Sequence, residues 1–377
     1  MENYLDNSAT TAVSQAVAQV VYDVLTNKYG NPSSLHGKGL EAELLLRKAR
    51  ETVAGELHVP PEALFFTSGG TEANNLAVFG AVAFQRRAGA RIVATAIEHD
   101  SVLAPLRELK RQGYEVVLVP PNERGEITPQ AMAEAVDENT VLVCAMAINN
   151  ELGTVLNVAD IAKAVKRKNH DVIVHCDAVQ AFCKVPLRFG FGYTDIVTVT
   201  GHKIHAPKGV GAIFINKRVK LPPRTFGGGQ EGGFRPGTEA SALIAGFGEA
   251  VRLAQQDMLA ASERVKELGA LLRGEVAKIE GVVINSPDNA LPYILNLSVP
   301  GIRSEIMMHF LEERGIYVSS GSACAKGAKS HVLEASGLSP ERIDSALRIS
   351  FSRFSTADEV MEFAKALAEG AATIRRA

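Results

Sequence analysis

Short apolar runs alternate with helix-like stretches between residues 63 and 215 of the 377-residue chain. Several runs are almost continuously apolar, as expected for strands of a mostly parallel sheet that helices cover on both faces. Between them, Thr128-Pro129 supplies a helix cap and a first-turn proline. The pattern predicts an α/β fold. The predicted strands span residues 64–67, 92–96, 116–119, 141–148, 172–177, 196–200 and 211–215.

A different pattern begins after Pro222-Pro223. A glycine-rich loop over residues 226–238 precedes a predicted helix over residues 240–256, a second helix that runs to residue 280, and then a strand–helix–strand–loop–helix order. We therefore expect a large domain of residues 14–256 that contains a seven-stranded sheet, and a smaller α+β domain of residues 1–13 and 257–377. The long glycine-rich loop is as compatible with a functional role as with a flexible connection.

Composition narrows the possible classes of protein. A net charge of −2 gives no indication of a nucleic-acid or anionic-membrane surface, and the most apolar run, residues 141–148, is too short to span a bilayer. The beginning of the chain lacks the basic and apolar regions of a signal peptide. The four cysteines (Cys144, Cys176, Cys183 and Cys324) show no zinc-binding or CxxC spacing, so we predict no metal and a reducing, cytoplasmic location.

Polar groups follow five of the predicted strands directly, and the carboxyl ends of strands are where ligands bind in open α/β sheets. Their shared position predicts a binding site more strongly than any single residue does. The groups are Thr67-Ser-Gly-Gly-Thr71, Glu98-His99, Asn149-Asn150-Glu151, Asp177 and His202-Lys203.

Each group has an ordinary and a catalytic interpretation. Lys203 is either a surface lysine in a turn or a buried amine kept neutral, the state that attacks a carbonyl. Asp177 either caps the following helix or, in a site for pyridoxal 5′-phosphate (PLP), keeps the pyridine nitrogen protonated. His99 is either structural, or stacks on a flat cofactor or transfers protons. The glycine turn offers backbone N–H groups to a phosphate, which is a weak signal by itself.

Two further candidates, Cys324 and Arg348, lie outside the predicted sheet. Cys324 is in a loop of small and polar residues, where Lys326 and Lys329 favour the thiolate, so a nucleophile is favoured over an incidental loop cysteine. Arg348 lies between alternating apolar residues and needs an anionic partner. Binding of a ligand carboxylate and a structural salt bridge both remain open for it.

Taken together, these residues resemble the cysteine desulfurases, a group of fold-type I PLP enzymes within the class V aminotransferases. The resemblance covers nearly the whole chain, and the Ser-Ala-Cys block is similar to the branch associated with iron–sulfur assembly and tRNA thiolation. The matching blocks are Tyr4-Leu-Asp-Asn-Ser-Ala-Thr-Thr, Gly30-Asn-Pro-Ser-Ser-Leu-His, Thr67-Ser-Gly-Gly-Thr-Glu-Ala-Asn-Asn, Glu98-His99, Asn149-Asn-Glu-Leu-Gly, Asp177-Ala-Val-Gln, Gly201-His-Lys, Arg235-Pro-Gly-Thr and Ser320-Gly-Ser-Ala-Cys.

The resemblance implies a role for each matching position. Lys203 would bind the PLP aldehyde covalently and later move protons at the substrate Cα, Asp177 would pair with the pyridinium, and His99 would stack on the ring. The phosphate would be held by Gly70, Thr71, Thr200 and His202, together with Thr238 from the second subunit of a homodimer. The ring oxygen or the substrate carboxylate would be contacted by Gln180 and Asn150, and the carboxylate also by Arg348 and Asn31.

The implied activity is PLP-dependent conversion of L-cysteine to L-alanine, with a persulfide formed on Cys324. The persulfide would pass to an acceptor protein, either a scaffold or a tRNA-thiolation enzyme, and no direct contact with nucleic acid or membrane is expected. One alternative is another class V PLP enzyme, such as a selenocysteine lyase or an aminotransferase. A second alternative is a non-enzymatic docking role, against which the intact Lys203, Asp177 and His99 argue.

Overall fold

The computed structural model of the protein describes residues 2–85, 89–122, 125–186, 193–320 and 329–375. The strands in these ranges are β1 (Asn3–Tyr4), β2 (Leu64–Thr67), β3 (Arg91–Thr95), β4 (Glu115–Val119), β5 (Thr140–Cys144), β6 (Ile173–Asp177), β7 (Ile196–Thr200), β8 (Gly211–Ile215), β9 (Val283–Ile284), β10 (Ile294–Ser298), β11 (Ile316–Tyr317) and β12 (Ala346–Ser350). The α-helices are α1 (Gln15–Thr26), α2 (Gly37–Leu57), α3 (Gly70–Gln85), α4 (Asp100–Arg111), α5 (Pro129–Glu134), α6 (Val158–Lys168), α7 (Ser241–Val276), α8 (Ser304–Glu312), α9 (His331–Ala335), α10 (Pro340–Asp344) and α11 (Ala357–Thr373).

Seven strands form the main sheet in the order β2-β8-β7-β6-β5-β3-β4. β8 is antiparallel to β2 and β7, and the other neighbouring pairs are parallel. Every residue of β5, β6 and β7 is buried, because an apolar core packs on each face of the sheet. One core includes α3 and α4, and the other includes α2, α6 and α7. The predicted α/β fold with a mostly parallel seven-stranded sheet is confirmed.

Two predicted boundaries are wrong. The strand predicted over residues 141–148 ends at Cys144, although residues 145–148 stay buried, because an apolar run reports burial rather than strand pairing. The break predicted after residue 256 is absent, since α7 is one continuous helix through this point. Ala254, Ala261 and Val265 continue the helical spacing of buried residues across the junction, and residues 255–260 contain neither Gly nor Pro.

The remaining strands pair outside the main sheet. β12, β10 and β9 form an antiparallel sheet, and β1 pairs in parallel with β11. Asp6 bridges to Ser350 at the end of β12, so the start of the chain lies against its last part. The predicted grouping of residues 1–13 with residues 257–377 in one domain requires contacts of this kind. The domain boundaries themselves stay a prediction. None of the helices in the described ranges combines the length and apolarity needed to cross a membrane.

Candidate active site

A cavity of about 250 Å³ lies at the carboxyl ends of β6 and β7, the edge of the sheet at which the sequence predicts a ligand. The predicted site residues that line it are Gly70, Thr71, His99, Asn150, Asp177, Gln180, Thr200, His202, Lys203 and Arg348. A larger, mainly apolar cavity of about 1020 Å³ is lined by none of these residues. Pro186, on the wall of this cavity, directly precedes residues 187–192, which lie outside the described residues. The cavity wall is therefore described only in part, and we assign this cavity no function.

Lys203 reaches the cavity from a single 3₁₀ turn that follows β7. Its Nζ donates to the carbonyl oxygens of Ser8 and Ala9, and the distance to Ala9 O is 2.7 Å. Burial, assisted by the nearby cations Lys184 and Arg348, lowers the pKa of the Lys203 amine to about 7. A large fraction of the amine is therefore neutral at pH 7, as addition to a carbonyl requires.

Asp177, the last residue of β6, presents a buried carboxylate to the same cavity. One carboxylate oxygen accepts a hydrogen bond from Asn74 Nδ2 at 2.7 Å, and the other accepts from the Val179 backbone N–H at 2.9 Å. Asn74 is held in turn by the Thr198 hydroxyl, which lies 2.5 Å from Asn74 Oδ1. Both donors to Asp177 are neutral, so its negative charge remains available to a cationic group in the cavity.

His99 caps α4, with its Nδ1 accepting the Ser101 backbone N–H at 3.1 Å. The neutral imidazole therefore carries its proton on Nε2. Burial lowers the pKa of His99, although the nearby Asp177 carboxylate acts in the opposite direction. The lowered pKa favours the neutral ring at pH 7. The Ser101 hydroxyl lies 2.8 Å from His99 Nδ1 and accepts from Asn74 Nδ2 at 2.8 Å, so one network orients both His99 and Asp177.

Gly70 and Thr71, which follow the turn after β2, line the cavity with closely packed backbone. Gly69 has a φ of 148°, a conformation that side-chain-bearing residues rarely adopt. A Cβ atom on Gly70 would lie 3.1 Å from Val179 Cγ2, which is closer than such contacts normally allow, and 3.8 Å from Thr200 Cβ. Gly70 and Thr71 form the first turn of the 16-residue helix α3, and a helix N-terminus presents N–H groups and a partial positive charge to a phosphate.

Ser8 and Ala9 form another wall of the cavity, and Thr10 follows them directly. Gln180 Nε2 donates to Ser8 O at 2.9 Å, and Lys203 donates to the same carbonyl oxygen. His202 Nδ1 lies 3.2 Å from the Thr10 hydroxyl oxygen. Burial, followed by the effect of the Lys203 cation, lowers the pKa of His202 to about 3, so His202 is a neutral hydrogen-bonding group at pH 7.

Arg348 reaches the cavity from the middle of β12, and only 1% of its surface is exposed. Its Nη2 forms a salt bridge with Asp6 Oδ1 at 2.7 Å, and its Nη1 donates to the Asn150 carbonyl oxygen at 3.0 Å. The salt bridge left open by the sequence is therefore present. Because Arg348 also lines the cavity, the structure is compatible with binding of a ligand carboxylate as well.

Three predicted site residues are not brought to the cavity by the described part of the chain. Asn31 and Thr238 are exposed and do not line it. Cys324 lies in residues 321–328, outside the described residues. The roles given to all three stay predictions.

Several supporting residues were not assigned roles from the sequence. Asn74 lies one helical turn from Gly70, so helical spacing within the Thr-Glu-Ala-Asn-Asn block could have indicated it. Ser101 lies in the first turn of α4, two residues after the capping His99, so its closeness to His99 in the sequence could have indicated it. Ser8 acts through its backbone carbonyl oxygen, and no side-chain pattern predicts such a contact.

Comparisons with known proteins identify the family of the chain. The aminotransferase class-V sequence profile matches residues 3–363, so the chain belongs to the class V aminotransferase family. Within this family, it is 38% identical to the cysteine desulfurase IscS of Azotobacter vinelandii over 380 aligned residues, which cover 99% of this chain and 93% of that protein. It is 36% identical to the putative cysteine desulfurase IscS 1 of Bacillus subtilis, with 97% of each chain covered.

A solved structure of a NifS-like protein has the same fold. It superposes with a TM-score of 0.92 at 37% identity, covering 98% of this chain and 99% of that one. The fold class and the resemblance to the cysteine desulfurases predicted from the sequence are therefore confirmed.

Proposed function

We propose that the protein is a PLP-dependent cysteine desulfurase that converts L-cysteine to L-alanine and receives the sulfur atom as a persulfide on Cys324. The observation that carries this proposal is the meeting of Lys203, Asp177 and His99 at one cavity, each from the end of a different strand of the sheet. The full-length similarity to proteins named cysteine desulfurases supports it.

The residues around the cavity fit PLP in their chemistry. The Lys203 amine, with a pKa of about 7, suits covalent attachment to an aldehyde, and the Asp177 carboxylate suits a protonated pyridine nitrogen. The start of α3, where Gly70 and Thr71 line the cavity, suits a phosphate group because helix N–H groups are available there. Once bound there, PLP supplies an electron sink for bonds at the Cα atom of an amino acid.

The chain's own groups divide the work. Lys203 serves as the base that moves a proton at the substrate Cα, because its lowered pKa lets it exchange a proton near pH 7. Asp177, whose carboxylate is held in place by Asn74 and the Val179 N–H, would pair with a protonated ring nitrogen. His99 presents a flat, neutral ring for stacking, because its Nδ1 is occupied by the α4 cap.

We assign the substrate carboxylate to Arg348 and Asn150, with Asn31 nearer to the surface. Arg348 is held in place by Asp6 and by the Asn150 carbonyl oxygen, at 2.7 and 3.0 Å. A carboxylate that reaches this buried guanidinium loses its water, and their attraction is stronger than it would be in solution.

Cys324 is the proposed sulfur acceptor. The Cβ–S bond of L-cysteine breaks, an S–S bond forms at Cys324, and a proton takes the place of sulfur at Cβ to give L-alanine. The described cysteines, Cys144, Cys176 and Cys183, are buried, and burial raises the pKa of each thiol well above its ordinary value. They are therefore poor nucleophiles at neutral pH. The persulfide would then serve an acceptor protein of iron–sulfur assembly or tRNA thiolation.

We further propose a cytoplasmic homodimer. Thr238, which is proposed to reach the phosphate of a second subunit, and Asn31, which is proposed for the entrance, are both exposed in the single chain. Large apolar side chains lie near them in sequence, including Leu35 at 106% and Phe226 at 88% relative exposure, and a second copy would cover such side chains. The buried free thiols suit a reducing compartment.

The test is incubation of the purified, PLP-loaded protein with L-cysteine, followed by measurement of intact mass. We expect added sulfur on the wild type, located at Cys324 by peptide mapping, together with L-alanine. Cys324→Ala should form no persulfide there and release sulfide much more slowly. Sulfide release by this variant at the wild-type rate would contradict the assignment. Transfer of the amino group without sulfide would instead favour a class V aminotransferase.

A further inference from the structure

Both ends of the segment that contains Cys324 are attached beside the cavity. On the N-terminal side, the Ser319 backbone pairs with the Arg348 backbone: Arg348 N–H donates to Ser319 O at 2.7 Å, and Ser319 N–H donates to Arg348 O at 3.2 Å. On the C-terminal side, Ser330 and His331 contact the turns that follow two strands of the main sheet. Residues 321–328 themselves lie outside the described residues.

The first C-terminal attachment joins Ser330 to Glu151. The Ser330 hydroxyl donates to Glu151 Oε2 at 2.5 Å, and both side chains are buried. Glu151 directly follows Asn150 in the turn after β5. That turn is well fixed, because buried Asn149 accepts the Glu151 backbone N–H at 2.9 Å and donates to the Ile97 carbonyl oxygen at 2.9 Å.

The second attachment joins His331 to the main chain of Glu98. His331 Nε2 lies 3.0 Å from the Glu98 carbonyl oxygen, which can only accept, so this nitrogen is the donor. Glu98 directly precedes His99. The two attachments therefore use the turns that carry Asn150 and His99, which are proposed to contact the substrate and the cofactor.

Removing the Ser330 hydroxyl would leave a Glu151 oxygen without this donor in a buried environment, which is unfavourable. Burial raises the pKa of Glu151, while Ser330, Arg348 and His331 lower it. The hydrogen bond thus fixes Ser330 at one point on the cavity edge.

We propose that Glu151 and Ser330 are positioning residues for the transfer of sulfur to Cys324, because they hold the C-terminal end of its segment at the cavity. The inference rests on the proposed function, in which Cys324 accepts the sulfur atom. Ser330 does not line the cavity, so its loss should affect the transfer step and leave the binding of PLP and L-cysteine intact.

The experiment compares the wild type with its variants in two quantities: the single-turnover rate of persulfide formation and the affinity for L-cysteine. The PLP-loaded protein is mixed with L-cysteine, and the gain of one sulfur atom on Cys324 is followed by quenched mass spectrometry. The affinity for L-cysteine is obtained from the change in cofactor absorbance. Ser330→Ala should slow persulfide formation by about 10- to 100-fold, the order of effect expected when a reacting group is misplaced by about 1 Å. PLP content and L-cysteine affinity should not change, and Ser330→Thr should retain the wild-type rate.

Matched variants separate this bond from the other role of Ser330, which caps α9 by accepting the Leu333 N–H. Ser339→Ala removes the corresponding cap of α10 and should not slow the transfer. Glu151→Ala removes the acceptor and leaves both caps intact. If Glu151 and Ser330 act through their shared bond, the double variant should be no slower than the slower single variant.

The inference is overturned if Ser330→Ala transfers sulfur at the wild-type rate, if Ser339→Ala is equally slow, or if L-cysteine binding weakens as much as transfer slows. If Ser330→Ala does not fold, Ser330→Gly removes the same hydroxyl with less effect on the helix cap and carries the comparison. Glu151 itself lines the cavity, so Glu151→Ala is judged on the transfer rate alone. Absence of persulfide on Cys324 in the wild type would contradict the proposed function itself, so the two failures are distinguishable.

Discussion

Two sets of residues predicted to contact the cofactor or the substrate differ in how deeply one chain buries them. Asp177 and His99 are joined through Asn74 and Ser101 in a hydrogen-bonded network at the cavity wall. Asn31 and Thr238, by contrast, are exposed and do not line the cavity. One chain thus positions the groups proposed to act on the ring and most of those proposed for the phosphate, whereas Thr238 is proposed to act only in a second copy.

This difference has a physical basis. Buried polar groups must find partners within the fold, so Asp177 requires donors such as Asn74, and Asn74 requires Thr198. Exposed polar groups impose no such requirement, because water can satisfy them. The side chain of Asn31, for example, has a local partner, the Ser33 N–H at 2.9 Å. The buried set can therefore be tested in any form of the protein, and the exposed set only where the oligomeric state is known.

The largest effect is expected from Lys203→Ala, because Lys203 lines the same cavity as the buried set. It removes the amine proposed to hold PLP and to move the proton at Cα, so we expect turnover of L-cysteine to fall by about 10²- to 10⁴-fold. The absorbance of covalently bound PLP should disappear as well. Lys208→Ala, at an exposed lysine in the same loop, is the control and should match the wild type. Covalent PLP and full turnover in Lys203→Ala would refute the assignment.

A smaller effect is expected from Asp177→Asn. The new NH₂ group must face a donor, either Asn74 Nδ2 or the Val179 N–H, and the charge opposite the ring nitrogen is lost. An unsatisfied buried group costs about 1–3 kcal/mol, which corresponds to a loss of about 10- to 100-fold in turnover or PLP affinity. Both quantities can be measured by L-alanine formation and PLP titration. Wild-type values for both would exclude the proposed role of Asp177.

The exposed set can be challenged with Leu35→Asp. A charge on this side chain should prevent a second copy from covering it, so light scattering should report a dimer for the wild type and a monomer for the variant. PLP affinity should fall with dissociation, because Thr238 of the other copy would be lost. Leu259→Asp, on the exposed side of α7, should remain dimeric. A wild-type monomer that binds PLP fully would remove the distinction between the two sets.

The smallest effect concerns Glu98, a buried residue next to His99. Burial raises the pKa of its carboxyl from an ordinary 4.5 to about 8. The folded protein keeps a proton that the unfolded chain releases in this window, so the contribution of Glu98 to the free energy of unfolding falls as pH rises from 4.5 to about 8. Glu98→Gln cannot titrate, and its Tm should fall by a few degrees less than that of the wild type between about pH 5 and 8. If thermal scans show the same change of Tm with pH for the wild type and for Glu98→Gln, the raised pKa of Glu98 is contradicted.

The sequence predicted most of the main sheet, because buried strands form apolar runs and their polar ends identify the ligand edge. It did not predict the bond from Asn74 to Asp177, since that contact depends on how α3 packs on β6. The carbonyl oxygens of Ser8 and Ala9 that accept from Lys203 were also missed, because a backbone contact leaves no residue-type pattern. Conversely, the prediction divided α7 into two helices, although residues 255–260 contain no Gly or Pro that would end a helix there.

The central claim is that Lys203 holds PLP covalently in the cavity beside Asp177. It is tested most directly by borohydride reduction of the PLP-loaded protein, followed by peptide mapping. The account predicts the reduced cofactor on Lys203 alone. Reduced cofactor on Lys184 or Lys208, or an unmodified Lys203 in protein that has bound PLP, would contradict it.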